Sequence, residues 1–288
     1  MRDSLRDLGH RPELLSINTA TVRAQWTLPQ IIEGCVTQGI GAIAPWRDQV
    51  AQCGLDVAAR LVKQHGLRVS GYCRGGMFPA ADAAGRQAAT NDNRKAVDEA
   101  LALNAECLVL VVGGLPAGSK DIAGARQQVR DGIATLLEYA RPLGMKLAIE
   151  PLHPMYAADR ACVNTLAQAN DLCEELGGAG SKGGLGVAVD VYHVWWDPNL
   201  QAQIARAGKY GWLYAFHVCD WLVPTRDLLT DRGMMGDGVI DIPQIRGWME
   251  ASGYDATIEV EIFSAENWWK RNPAEVLRVC RERYASVC

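Results

Sequence analysis

The chain has no excess of basic residues: 29 Lys and Arg face 33 Asp and Glu across 288 residues, for a net charge of −4. That balance argues against a nucleic-acid partner, whose phosphates demand a basic surface. No apolar stretch reaches the roughly 18 residues of a membrane-spanning helix, and the opening MRDSLRDLGHRPE lacks the apolar core of a secretory signal. No CxxC pair occurs. The nine cysteines, at 35, 53, 73, 107, 162, 173, 219, 280 and 288, are odd in number and scattered. Most lie in apolar runs such as 107–111, where a cysteine behaves as a small hydrophobe. These absences point to a reducing cytoplasm, with neither disulfides nor structural zinc needed for folding. No linker or low-complexity segment divides the chain, so a single domain over 1–288 is expected.

What is present is a regular alternation. Short apolar runs rich in β-branched residues fall at 14–19, 41–46, 67–72, 107–112, 146–150, 186–191, 213–218 and 256–263. Helical stretches lie between them. The segment 29–38 opens on a proline, 85–105 and 120–140 carry apolar residues at three-to-four spacing, and 164–176 ends at Gly177-Gly178, a helix-stop signal. Alternating strands and helices call for a parallel sheet, and eight such units match a closed (β/α)8 TIM barrel. A doubly wound open sheet would want a GxGxxG turn after its first strand, and Asn18-Thr19-Ala20-Thr21 supplies none.

In such barrels chemistry sits where strands end. The fifth run ends in Glu150, the sixth in Asp190 with His193 three residues on, the seventh in His217 and the eighth in Glu261. Only five histidines exist, and three of them (153, 193 and 217) fall in this zone. Carboxylates at the ends of apolar strands are desolvated unless they have a partner. Three carboxylates and an imidazole form a hard, oxygen-rich donor set, so one divalent ion is expected on Glu150, Asp190, His217 and Glu261. Mn2+ is favoured over Mg2+, Co2+ or Zn2+. Glu259 points to the same side of its strand as Glu261. Because Ala148, Ala188 and Ala215 leave room one layer lower, Glu261 is assigned to the metal and Glu259 to a buried supporting position, the reverse staying open.

The motifs LAIEPLHP (147–154), VAVDVYHVWWDP (187–198), FHVCD (216–220), GDGVIDIPQI (236–245) and VEIFS (260–264) resemble those of the xylose isomerase-like barrels, the sugar phosphate isomerase/epimerase group. The resemblance spans the chain and is densest after residue 146. It implies a Glu, Asp, His, Glu metal set on Glu150, Asp190, His217 and Glu261, and a substrate-contacting histidine at His193. The epimerases' arginine shortly after the metal histidine has no match, since Val223 stands there and the nearest arginine is Arg226. AP endonucleases of the same group use additional histidines after earlier strands; here those strands end in Tyr72-Cys73-Arg74 and Gly113-Gly114, which disfavours a nuclease.

The expected chemistry is proton transfer next to a carbonyl through an enediolate, with Glu150 and Glu261 as the acid/base pair. Epimerisation, aldose–ketose isomerisation and dehydration of an inosose- or dehydroshikimate-type substrate share that intermediate, and isomerase or epimerase leads. Trp46, Trp195 and Trp196 offer aromatic faces for a sugar, while Arg47, Arg74 and Arg226 offer contacts for a carboxylate or phosphate. His153 is a further ligand-orienting or acid/base candidate. The partner implied is a small sugar or polyol ketone, with no nucleic acid and no membrane; a homo-oligomer is compatible with the sequence. A non-catalytic sugar-binding barrel is the remaining alternative.

Overall fold

The computed structural model describes residues 5–177 and 184–288. Each apolar run contributes a strand, and most of these strands are buried along their whole length, as a parallel sheet covered by helices requires. The strands are β1 (Leu15–Asn18), β2 (Ala42–Ala44), β3 (Arg68–Val69), β4 (Tyr72–Gly76), β5 (Leu108–Val111), β6 (Leu147–Ile149), β7 (Leu185–Asp190) and β8 (Leu213–Val218). A short hairpin, β9 (Asp220–Trp221) with β10 (Arg232–Gly233), precedes the last stave, β11 (Ile258–Val260). Apart from that hairpin, all strands join one parallel sheet in the order β3-β2-β1-β11-β8-β7-β6-β5-β4.

Its two ends are halves of one stave. The sequence predicts one strand over 67–72; instead β3 and β4 are separated at Ser70-Gly71, and β4 runs on through Arg74 to Gly76. Gly71 has no side chain to lose from the barrel wall, and the interior there is occupied by Val109 and the Glu259 carboxylate. Isolated bridges from Trp46 to Cys73 and from Val69 to Ala105 join the neighbouring staves across the break. Eight staves thus close on themselves, a TIM barrel.

Ten helices among the described residues run between strands: α1 (Leu28–Thr37), α2 (Arg47–Cys53), α3 (Leu55–Gln64), α4 (Ala83–Ala102), α5 (Ile122–Leu143), α6 (Leu166–Glu175), α7 (Val191–Val194), α8 (Leu200–Lys209), α9 (Ile242–Ala251) and α10 (Pro273–Ser286). Their starts follow capping chemistry. Thr27 and Gln30 form a capping box on α1, and Asp241 accepts from Gln244 N at 3.1 Å to open α9. At the end of α6, Gly177 takes a positive φ of 72° and stops the helix, as expected; Gly178 lies outside the described residues.

Side chains pointing outward from the sheet pack against the helices in one large core that includes Ile17, Ile43, Leu108, Ile149, Val187, Phe216 and Ile258. Each such residue contributes roughly 1.5–3 kcal/mol by leaving water. The barrel's inside is filled differently. A small cluster of Cys73, Cys107, Val109, Ala148, Ala188 and Ala215 lines it, the three alanines among them. That choice of short side chains leaves axial space for Glu259. None of the nine cysteines is bonded to another, and no helix among the described residues is long and apolar enough to cross a membrane.

Candidate metal centre and substrate cavity

Four adjacent staves, β11, β8, β7 and β6, each bring one polar side chain to the same end of the barrel. Glu261 follows β11, His217 lies near the end of β8, Asp190 closes β7, and Glu150 follows β6. Parallel register sets Asp190 beside His217, and the order of staves puts the two glutamates at opposite ends of the arc. One donor atom from each of the four lies within 4.8 Å of the others, and all four residues are buried. His217 Nδ1 and Glu150 Oε1 are 2.9 Å apart.

Three carboxylates here have little cationic company. Arg232 Nη1 donates to Glu261 Oε2 at 2.9 Å and approaches Asp190 Oδ2 at 3.3 Å. Burial pushes Glu261 up to about 8 and Asp190 up to about 6; Arg232 opposes both, and the charge of Glu150 adds to both rises. For His217, burial disfavours protonation, but the charges of Glu259, Glu150 and Glu261 outweigh it and hold the imidazole well above its ordinary 6.5. A buried site that raises its acids and protonates its histidine is short of positive charge. His217 turns Nδ1 toward Glu150 and Nε2 toward Glu259 below, so Nδ1 is the ring nitrogen on the side of the other three donors. Donor types, spacing and electrostatics therefore fit a divalent cation.

Beneath the four lies Glu259, 2 % exposed. Its Oε1 accepts from Asn18 Nδ2 at 2.8 Å, and its Oε2 from Ser70 Oγ at 2.8 Å. Two hydrogen bonds and the imidazole of His217 thus satisfy the carboxylate that strand alternation put inside the barrel.

His193 is 3 % exposed, and burial, followed by the nearby Arg232 charge, holds it well below 6.5, so it is neutral. The backbone N–H of His153 donates to its Nδ1 at 3.2 Å. His193 Nε2 lies 3.3 Å from Arg232 Nη2 and 3.7 Å from Asp190 Oδ2.

The arc opens onto a cavity that is continuous with solvent. Glu150, Glu261, His193 and Arg232 form its polar floor, Val109, Val111, Leu152, Leu229 and Phe263 its apolar flank, and Trp46, Cys73, Arg74, Tyr156 and Arg160 the remainder. Trp46 is fixed by donating Nε1–H to Asn18 Oδ1 at 2.7 Å and by an edge-on contact with Phe263 at 5.6 Å.

Other sequence candidates are placed elsewhere. His153 stacks on Trp221 at 4.9 Å and Trp195 leans on the same ring at 5.8 Å, while Trp196 donates Nε1–H to His193 O at 2.8 Å. These aromatics pack around α7, which carries His193, and are absent from the cavity lining. Arg47 is engaged by Asp92 and Glu99. Arg226, proposed from sequence as a substrate contact, is more than half exposed and bound to Asp231 at 2.6 Å. Its place in the cavity is taken by Arg232, which the β10 strand turns inward. Arg232, Tyr156 and Arg160 were not found from the sequence because each sits in a connection between staves whose path no local pattern specifies. The one available signal was that they follow strand ends within the zone of the metal candidates.

A family model described as xylose isomerase-like TIM barrel matches residues 33–282. The crystal structure of protein SMc04130 from Sinorhizobium meliloti 1021 is 61% identical, with a TM-score of 0.94 over 96% of this chain and 99% of that one. The structure of an IolI protein with a bound zinc atom shares the fold at 20% identity, with a TM-score of 0.80 over 95% of this chain and 97% of that one. An inosose isomerase of Halalkalibacterium halodurans is 24% identical over 158 residues, 54% of this chain and 52% of the relative, so the match spans about half of each. With the barrel closed, the four donors gathered at one end and the family model matched over most of its length, this chain belongs to the xylose isomerase-like TIM barrel family.

Proposed function

We propose that the protein is a divalent-metal-dependent isomerase or epimerase of a ketose or related polyhydroxy ketone, with Glu150 and Glu261 as the acid/base pair. The observation that carries this reading is the buried cluster of Glu150, Asp190, His217 and Glu261, two of whose carboxylates line an open cavity. The same four residues would hold the ion; Mn2+ suits the oxygen-rich set, and the IolI structure of the same fold contains a zinc atom. When bound, the ion supplies Lewis acidity next to a carbonyl and offsets negative charge growing on its oxygen.

The chain's own residues divide the remaining work. Glu150 and Glu261 stand at opposite ends of a four-stave arc, so they meet a substrate lying across the arc from two sides. One carboxylate takes the proton from the carbon beside the carbonyl, and the other returns a proton to the opposite face of that carbon or to the neighbouring carbon. The first outcome is epimerisation and the second isomerisation. His193, held neutral, and Arg232, whose Nη2 lies 3.3 Å from His193 Nε2, line the cavity beside the glutamates, where Arg232 offers charge-assisted hydrogen bonds to a substrate oxygen. Trp46 and Phe263 present an apolar wall to the sugar carbons.

The test is incubation of Mn2+-loaded protein with ketoses and inososes in D2O, followed by mass spectrometry and NMR. Deuterium entering at a carbon next to the carbonyl, with the carbon skeleton and its water content intact, is the expected result. Loss of water would make the protein a dehydratase. No exchange in any substrate, together with no stoichiometric metal in the purified protein, would remove the reading and leave a sugar-binding barrel.

A further inference from the structure

The cavity holds two guanidinium groups with no acid to answer them. Most arginines near this end of the barrel are matched: Arg47 by Asp92 and Glu99, Arg226 by Asp231, and Arg232 by Asp190 and Glu261. Arg74 and Arg160 are exceptions. Both line the cavity, both are half-buried, and among the described residues neither has a carboxylate within 4.0 Å. Arg74 is carried by β4, opposite the metal arc in the stave order. Arg160 follows the short turn Pro154–Tyr156, and its guanidinium lies over the Tyr156 ring at 5.6 Å from the centroid.

Two like charges converging on a partly dry cavity are costly without a counter-ion. Burial lowers the Arg74 pKa and the charge of Arg160 lowers it further, against a smaller opposing pull from Glu150, which is not within ion-pair distance. The carboxylates that might relieve them are otherwise occupied: Glu261 by Arg232, Glu150 by His217 and Glu259 by Asn18 and Ser70. The cavity is therefore polarised, acidic where the four donors gather and basic on the wall made by Arg74 and Arg160. A neutral sugar would leave that wall unmatched; an anionic one would neutralise it with charge-assisted hydrogen bonds.

We infer that the substrate carries an oxyanionic group, a carboxylate or a phosphate, which docks on Arg74 and Arg160 while its carbonyl end faces Glu150 and Glu261. The placement of the reacting end rests on the function proposed above; the charge of the other end rests on the two arginines alone. The anion sits at the basic wall because the carboxylates repel it from the opposite end, so the substrate enters in one orientation.

The experiment uses a matched set differing at one carbon: D-fructose, D-fructuronate and D-fructose 6-phosphate. Binding to the metal-loaded protein is measured by calorimetry, and deuterium exchange is followed in parallel. At least one charged member is expected to bind about tenfold or more tighter than fructose, a preference that shrinks as salt is raised. R74Q and R160Q should each reduce the charged-to-neutral ratio, and the two together should bring it to about one, while R74K and R160K recover part of it. Whether fructuronate or the phosphate ester leads identifies the anion. Arg160 lies on a loop, so R160Q serves alone if R74Q does not fold.

Equal binding of all three sugars, binding of none, or a preference that survives both glutamine substitutions overturns the inference. A charge preference without exchange in any sugar would spare this inference and remove the proposed reaction. Exchange without a charge preference would do the reverse.

Discussion

The Nε2 atom of His217 lies 3.6 Å from Oε1 of Glu259, on the ring edge opposite Nδ1, which meets Glu150 at 2.9 Å. An imidazole held between two carboxylates has its ring orientation set from both sides. The lower one, Glu259, is itself anchored by Asn18 and Ser70. Supporting carboxylates of this kind raise the basicity of a ligating histidine and fix its tautomer.

Glu259→Gln should therefore weaken Mn2+ binding by about 10–100-fold without removing a donor from the metal cluster. A chelator-competition titration reads this directly. Unchanged affinity would reduce Glu259 to a space-filling buried acid.

Removal of a donor should be harsher. Asp190→Asn and His217→Ala are expected to lose stoichiometric metal, while Glu150→Gln keeps some metal yet drops exchange by about 10²–10⁴-fold as an acid/base residue is lost. Elemental analysis beside the D2O assay separates the two effects. Full metal content in all three variants would contradict the ligand set.

Arg232 is 3 % exposed and touches both Asp190 and Glu261. Arg232→Met should destabilise metal-free protein by about 3–5 kcal/mol, because two buried carboxylates lose their cation. With Mn2+ bound, part of that loss should be recovered, since the ion supplies the missing charge. Urea unfolding with chelator and with saturating metal measures the difference. An equal loss in both states would mean that the metal does not share these carboxylates.

Arg226 has a different task from the one its place in the sequence suggested. Asp231 accepts from its backbone N–H at 2.8 Å and from Nη2 at 2.6 Å, one residue before Arg232 enters the cavity. The Arg226 guanidinium holds the Asp231 carboxyl below its usual 3.8. A depressed folded-state pKa contributes stability that is present above pH ~4 and lost as pH falls through the folded value. Arg226→Gln should thus raise the midpoint of acid unfolding slightly and leave stability at pH 7 reduced by about 1 kcal/mol or less, because the arginine is solvent-screened. A circular-dichroism acid titration reads it; an unshifted midpoint would show the pair to be idle.

Asp220 supplies a purely structural contrast. Its carboxylate accepts backbone N–H groups from Trp221, Gly236, Gly238 and Ile240 at 2.9–3.0 Å. Gly238 is needed there, since a Cβ would stand 2.2 Å from Trp221 O. Asp220→Ala should orphan these buried donors and cost about 3 kcal/mol or more by thermal unfolding, with metal affinity little changed. A neutral substitution would mean that the 236–240 turn stands without it.

The sequence by itself determined the barrel and the arc of four polar residues, the candidate metal donors. Apolar strand runs, the helical stretches between them and the residue ending each run are local properties, written within a few positions of each other. Glu150, Asp190, His217 and Glu261 were legible because parallel strands of one barrel must end on the same face. The alternation of Glu259 and Glu261 was legible for the same reason. Tertiary structure alone decided which arginines face the cavity. Arg226 and Arg232 lie close together in one loop, yet one is bound at the surface and the other buried among the donors, according to a hairpin that pairs β9 with β10. Likewise Arg74 was assigned from its strand end, but its lack of an acidic partner and its company with Arg160 depend on loops packed far apart in sequence. The division follows from range: periodicity and strand ends are set by neighbouring residues, whereas the pairing of charges is settled only when distant segments compete for the same carboxylates.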